Sequence, residues 1–142
     1  KGFSLTDNHA NLIKPNKRPF HTIIPAMATI DNQLWLTYGV MGGMQQAQGH
    51  LQMLVNMIDF KLSPQKALDA PRFRTSITNE SFIETIAQNN ILTGLKAKGH
   101  NISFAEPHPS FFGSGQIIET NLENGMLIGG SEPRSDGMAV AW

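Results

Sequence analysis

The residues best suited to chemistry are two consecutive glycines in Tyr38-Gly39-Val40-Met41-Gly42-Gly43-Met44-Gln45, where a β-prone run gives way to a helical pattern. Paired glycines let a backbone turn tightly and bring its N–H groups against a ligand with no Cβ in the way. The first N–H groups of the following helix lack intrahelical acceptors and lie at the positive end of its dipole. Such a joint suits an anion, or the oxyanion of an acyl-transfer transition state, where one donor is worth about 3 kcal/mol. It also suits a tight turn or close helix–strand packing. The spacing is neither Gly-x-Gly-x-x-Gly nor a phosphate loop, which argues against a nucleotide.

Other candidates are weaker. His21-Thr22 follows Lys17-Arg18-Pro19 and reads either as a pair for a substrate carboxyl, a carbonyl or a proton transfer, or as a polar strand edge. The five histidines (His9, His21, His50, His100, His108) show neither His-x-x-x-His nor Glu-x-x-His spacing, so no metal site is expected. Without cysteine, disulfides, thiolate-bound zinc and a thiol nucleophile are excluded. Phe112-Gly113-Ser114-Gly115-Gln116 has the wrong spacing for a nucleophile elbow and precedes a strand, so it reads as a turn. Arg72, Arg74 and Arg134 suit carboxylate binding or ion pairs that lock loops. No complete catalytic set is present, and no cofactor is implied.

The elements that must position these residues read as an α+β unit. Residues 21–30 predict a strand, with Pro25 implying an edge or a bulge. Asp31-Asn32-Gln33 turns into a second strand at 34–39. A helix is expected over 45–60, with Ala47, Leu51, Leu54, Val55 and Ile58 on one apolar face and Met53, Met57 and Phe60 widening it, so that two sides need cover. Ser63-Pro64 starts a short helix through Ala70, which Pro71 stops. A strand at 81–86 precedes a helix capped by Asn89 or Asn90 and ended by Lys98-Gly99. Strands follow at 101–106, 115–122 and 126–130, the last two joined by Glu123-Asn124-Gly125, and a closing strand is expected at 138–142.

The 142 residues hold eleven Lys and Arg against eleven Asp and Glu, which argues against a nucleic-acid partner. No apolar run reaches the ~18 residues of a membrane span. Residues 1–7 do not read as a signal peptide, and without an initiator Met, Lys1 is not expected to be the natural start. Apolar residues make up 40%, enough for a core, but charged residues only 15%, against ~25% in typical domains, so part of the surface is expected to be covered. No repeat, linker or internal boundary interrupts 1–142.

From Pro15-Asn16-Lys17-Arg18-Pro19 through Gly42-Gly43, and on through Leu51-Gln52-Met53-Leu54-Val55-Asn56-Met57-Ile58-Asp59-Phe60, Asp69-Ala70-Pro71-Arg72-Phe73 and Glu132-Pro133-Arg134-Ser135, the chain resembles the γ-glutamyltranspeptidase family. The run Arg18-Pro19-Phe20-His21-Thr22-Ile23-Ile24-Pro25 is most similar to the bacterial and archaeal transpeptidase-like branch rather than the enzymes of glutathione metabolism. The resemblance implies an N-terminal-nucleophile (Ntn) hydrolase: a four-layer αββα sandwich, autoproteolysed into two subunits. The small subunit's new N-terminal threonine attacks, with its α-amine as base. This chain would be the C-terminal portion of that subunit, the nucleophile lying upstream of Lys1, and its partners the large subunit and a small amide or peptide substrate. The assembly would be a heterodimer or a dimer of heterodimers, in a compartment that nothing in the sequence decides. The family's oxyanion donors map onto Gly42 and Gly43.

Two departures bear on specificity. The serine pair that holds the glutamyl α-carboxylate is replaced by His21-Thr22, and the acidic residue that holds the α-amine aligns with Gly2. The expected protein is therefore an amidohydrolase or acyltransferase with altered acyl-group recognition. The alternative is a non-catalytic homologue that binds a peptide or small carboxylate. Expressed alone, the 142-residue chain is expected to aggregate for want of cover on helix 45–60; a soluble monomer with a cooperative melt would mark an independent domain instead.

Overall fold

The computed structural model describes residues 2–20 and 22–142. Asp31 and Asn32 both take positive φ (49° and 64°), the conformation a two-residue hairpin needs. They join β1 (Ala26–Ile30) to β2 (Gln33–Met41). The first strand is thus shorter than the predicted 21–30. Pro25 has no N–H for the ladder, and β1 begins just after it, at the sheet edge, with a register shift between Ala28 and Thr29. β2 continues antiparallel with β6 (Ser114–Thr120), and β6 with β7 (Leu127–Ser131), giving the order β1-β2-β6-β7.

One face of this sheet is covered by α1 (Gln45–Ile58) and α2 (Pro64–Asp69), around Leu36, Val40, Met53, Met57, Leu68 and Ile117. On the other face Met27, Met41, Ile118 and Leu127 are exposed. The burial of α1 corrects the predicted stripe. Gly49, Met53 and Met57 are buried, while Ala47, Leu51 and Ile58 are exposed. The physical reason is Gly49. A Cβ there would lie 2.7 Å from Val40 Cγ1, so the helix lies against β2 here at a distance that admits no side chain. With apolar residues spread over more than half of the helix circumference, periodicity alone did not choose that side.

A second, three-stranded sheet has the order β3 (Phe73–Thr75), β4 (Ser81–Glu84), β5 (Ile102–Ala105). β4 and β5 are parallel, connected through α3 (Asn89–Ala97). Gln88, with extended backbone, is the N-cap of α3, so Asn89 begins the helix rather than capping it. β3 and α4 (Pro109–Phe112) were not foreseen: both are too short for a period to register. The expected strand at 138–142 is absent. That tail is exposed and has no ladder partner among the described residues.

α1 seals the free edge of β3 with side-chain amides. Gln52 accepts from the Phe73 N–H (2.9 Å) and donates to its carbonyl (2.9 Å). Gln48 does the same at Thr75, at 2.8 and 3.0 Å. Two glutamines one turn apart thereby imitate a neighbouring strand, which protects an edge otherwise open to foreign pairing.

The two sheets are locked together by a buried network of two arginines and two carboxylates. Arg72 donates to Glu132 (2.7 Å), and Arg134 donates to Glu132 (2.7 Å) and grips Glu84 with Nε and Nη2. Glu84 also accepts from the Arg72 N–H (2.7 Å), and Glu132 from the Gly115 N–H (2.6 Å). Arg134 further donates to the carbonyls of Leu68 and Ala70. The four side chains are almost fully buried, but their charges cancel and nearly every lone pair and N–H is used. Burial pushes the Arg72 guanidinium below its ordinary value, with the charge of Arg134 adding to this. For Glu132, burial works in the opposite direction. The hydrogen bonds and charges of Arg134 and Arg72 outweigh it and hold the carboxyl below the usual range.

A carboxyl lowered on folding stabilises fully above its unfolded value, near 4.3, and loses that contribution as pH falls through its folded value. The melting temperature of the assembled protein should therefore fall steeply below about pH 4, and Glu132→Gln should flatten that acid limb. Arg134→Ala, which strands two buried carboxylates, should cost about 3–5 kcal/mol by denaturant titration.

Candidate active site

The glycine joint sits where β2 passes into α1. Gly42 has φ +143° and Gly43 φ +58°, both in the region that favours glycine. Their carbonyls start the helix, accepting from the N–H groups of Gln45 and Gln46 at 3.1 Å each. Met44 is the N-cap and gives no side-chain cap. Among the described residues no acceptor meets the N–H of Gly42, Gly43 or Met44. Three backbone donors at the positive end of a 14-residue helix are thus free for a developing negative charge.

The joint is backed by a second glycine turn. A Cβ on Gly42 would come within 2.9 Å of Gly113 Cα, and one on Gly113 within 2.6 Å of the Met41 carbonyl. Gly113 (φ +83°) ends α4 and makes the turn, but Ser114 already opens β6, so Ser114 and Gly115 are strand rather than the turn expected of the segment. Arg72 Nη1 donates to the Gly113 carbonyl at 2.9 Å, and Glu132 accepts from Gly115 on the other side. The buried ion network therefore holds the turn against which the glycine joint rests. Arg72, Arg74 and Arg134 are structural: Arg74 donates to the Phe111 carbonyl (3.0 Å) and lies over its ring.

Thr22 is carried to the first turn of α1, where Gln46 Nε2 donates to its carbonyl at 2.8 Å. His21, its predicted companion, lies outside the described residues. Two residues that no motif marked act beside it. Gln46 holds Thr22, and His50, 7% exposed, places Nε2 2.8 Å from the Ile24 carbonyl and Nδ1 2.6 Å from that of Gln46. The one available signal was the run of glutamines at 45, 46, 48 and 52, unusual on a helix packed against a sheet. At Gly2, a Cβ would overlap the Phe20 ring, which stacks edge-on to Phe3 at 6.0 Å. An aromatic ring fills the space into which a side chain at position 2 would project. Among the described residues no three His, Asp or Glu gather as a metal site.

An antiparallel sheet with helices over one face, beside a smaller mixed sheet, is the α+β architecture of the Ntn hydrolases. Its likeness to a cephalosporin acylase from Bacillus halodurans is close: TM-score 0.87 and 45% identity over 99% of this chain and 26% of that one. The chain belongs to the γ-glutamyltranspeptidase family: the model described as Gamma-glutamyltranspeptidase matches residues 1–142. A glutathione hydrolase-like YwrD proenzyme of Bacillus subtilis (strain 168) is 34% identical over 97% of this chain and 27% of its own length. A glutathione hydrolase proenzyme of Escherichia coli (strain K12) is 35% identical over 94% and 22%. The chain thus spans about a quarter of the relatives it matches.

The two glycines should respond differently to alanine. Gly43→Ala meets nothing within 4 Å and should cost only the left-handed backbone, about 1–2 kcal/mol. Gly42→Ala, which must also displace Gly113, should lower the melting temperature clearly more.

Proposed function

We propose that this chain is the C-terminal portion of the small subunit of an autoprocessed N-terminal-threonine amidohydrolase or acyltransferase, with acyl recognition shifted away from γ-glutamyl groups. The observation that carries the reading is the set of unengaged N–H groups at Gly42 and Gly43, at the position of the family's oxyanion loop. The partner is the large subunit of the same precursor, and the substrate a small amide or peptide. The upstream threonine hydroxyl gives its proton to its own α-amine and attacks the amide carbonyl. The carbonyl oxygen becomes an oxyanion, and Gly42 and Gly43 donate to it. As the C–N bond breaks, the ammonium returns the proton to the leaving amine, leaving an ester on threonine. Water or an acceptor amine resolves that ester by the same route in reverse.

Two observations support the shift in acyl group. No carboxylate stands at Gly2 to pair with a substrate ammonium, and Phe20 occupies the space beside it. His21 and Thr22 stand in place of the serine pair, with Thr22 held close to the glycine joint through Gln46.

The mature two-chain protein should hydrolyse γ-glutamyl-p-nitroanilide far more slowly than a true transpeptidase; a comparable rate would overturn the shifted specificity. On its preferred amide, Gly42→Ala, which cannot keep its place against Gly113 and so shifts the N–H groups of the joint, should lower kcat about 10²-fold, and unchanged turnover would remove the oxyanion role. Intact mass spectrometry finding only uncleaved precursor would favour a non-catalytic binding protein.

A further inference from the structure

β2 outruns its neighbour. The last β1–β2 pair is Ala26 with Tyr38, yet β2 continues to Met41. Residues 22–25 do not extend the ladder. Pro25 offers no N–H, and the carbonyls of Thr22 and Ile24 turn instead to α1, where Gln46 and His50, one helical turn apart, hold them at 2.8 Å each. The segment is pinned to the helix rather than zipped to the strand.

Between the pinned segment and the end of β2 lies a cleft of about 330 Å³. Its walls include Ile23, Ile24, Pro25, Tyr38 and Met41, with Thr22 and Gln46 the other polar side chains. Among the described residues, no Lys, Arg, Asp or Glu lines it. Burial pushes the Tyr38 phenol above its ordinary value, so it too is uncharged at neutral pH. Ile23 and Met41 are 70% and 63% exposed, which leaves apolar surface facing the cleft unsatisfied. Met41, the residue before Gly42, is one of its lining residues, so the cleft adjoins the glycine joint. A substrate carbonyl against the glycine N–H groups can therefore lay its acyl chain there.

We infer that this cleft is the acyl-chain subsite and that it selects an uncharged, aliphatic acyl group, with Gln46 and His50 as positioning residues that keep it open. The inference rests on the acyl-transfer reading above and adds the class of substrate to it. An apolar chain gains by leaving water for these walls, whereas a terminal carboxylate or ammonium would be desolvated there without a partner.

The test is steady-state hydrolysis by the mature two-chain protein of the p-nitroanilides of acetic, butyric and hexanoic acids, beside the glutaryl and γ-glutamyl analogues. At about fourfold per buried methylene, kcat/KM should rise about 15-fold from acetyl to butyryl. Hexanoyl should exceed glutaryl and γ-glutamyl at least tenfold. Gln46→Glu, which keeps the shape but cannot donate to the Thr22 carbonyl, should flatten the chain-length gradient through KM, with the melting temperature held. A gradient that is flat in the unaltered protein, as when another part of the proenzyme fills the cleft, overturns the inference. So does a preference for glutaryl or γ-glutamyl, or a Gln46→Glu variant that loses all substrates in proportion. These outcomes leave the acyl-transfer reading intact. Failure to turn over any of the five overturns both.

Discussion

The rest of the structure depends on the buried square of Arg72, Glu84, Glu132 and Arg134. It is the one place where the connection after α2, the end of β4, the turn before β6 and the loop after β7 meet. Buried charges are costly, and a pair replaced by apolar residues of like shape is often as stable. What such a square offers is direction. Each carboxylate oxygen and guanidinium nitrogen accepts only certain partners at certain angles, so the four residues fix how one sheet sits against the other. Oil-like contacts do not define that relation as sharply.

The consequence for the glycine joint is geometric. Arg72 reaches the Gly113 carbonyl and Glu132 the Gly115 N–H, while Gly113 lies against Gly42 at a distance that admits no Cβ. The joint is supported from behind by a turn that is itself held at both ends by buried charges. In the proposed oxyanion role, donors act best when they do not reorganise during reaction. A strand end, a helix start and a clamped turn together provide that stillness without any catalytic side chain.

α1 serves three surroundings at once. Its Gly49–Met53–Met57 flank enters the core, its glutamines close the edge of β3, and its first turns pin the chain ahead of β1. A further flank with Ala47, Leu51 and Ile58 is exposed, as is the outer face of the four-stranded sheet. Those two faces carry apolar side chains at positions open to solvent, in keeping with the low charged content of 15%. One covered and one bare sheet face is also what half of an αββα sandwich presents.

Sequence alone determined what local chemistry can determine. Asp31-Asn32 made the hairpin, Pro25 ended a strand, Ser63-Pro64 began a helix, and Gly42-Gly43 marked the joint, because each depends on φ preferences or missing N–H groups within a few residues. The family resemblance, spread over the whole chain, led to the fold. Tertiary structure alone decided which side of α1 is buried, since its apolar residues spread over more than half of the circumference and the choice among them falls where Gly49 meets Val40. It decided that Arg72 and Arg134, 62 positions apart (134 − 72), share carboxylates rather than bind a ligand. It also left residues 138–142 without the closing strand expected there, because a strand exists only where a partner offers a ladder. The work of Gln46 and His50 was invisible for the same reason: their hydrogen bonds go to backbone carbonyls more than twenty residues away, which no spacing rule encodes.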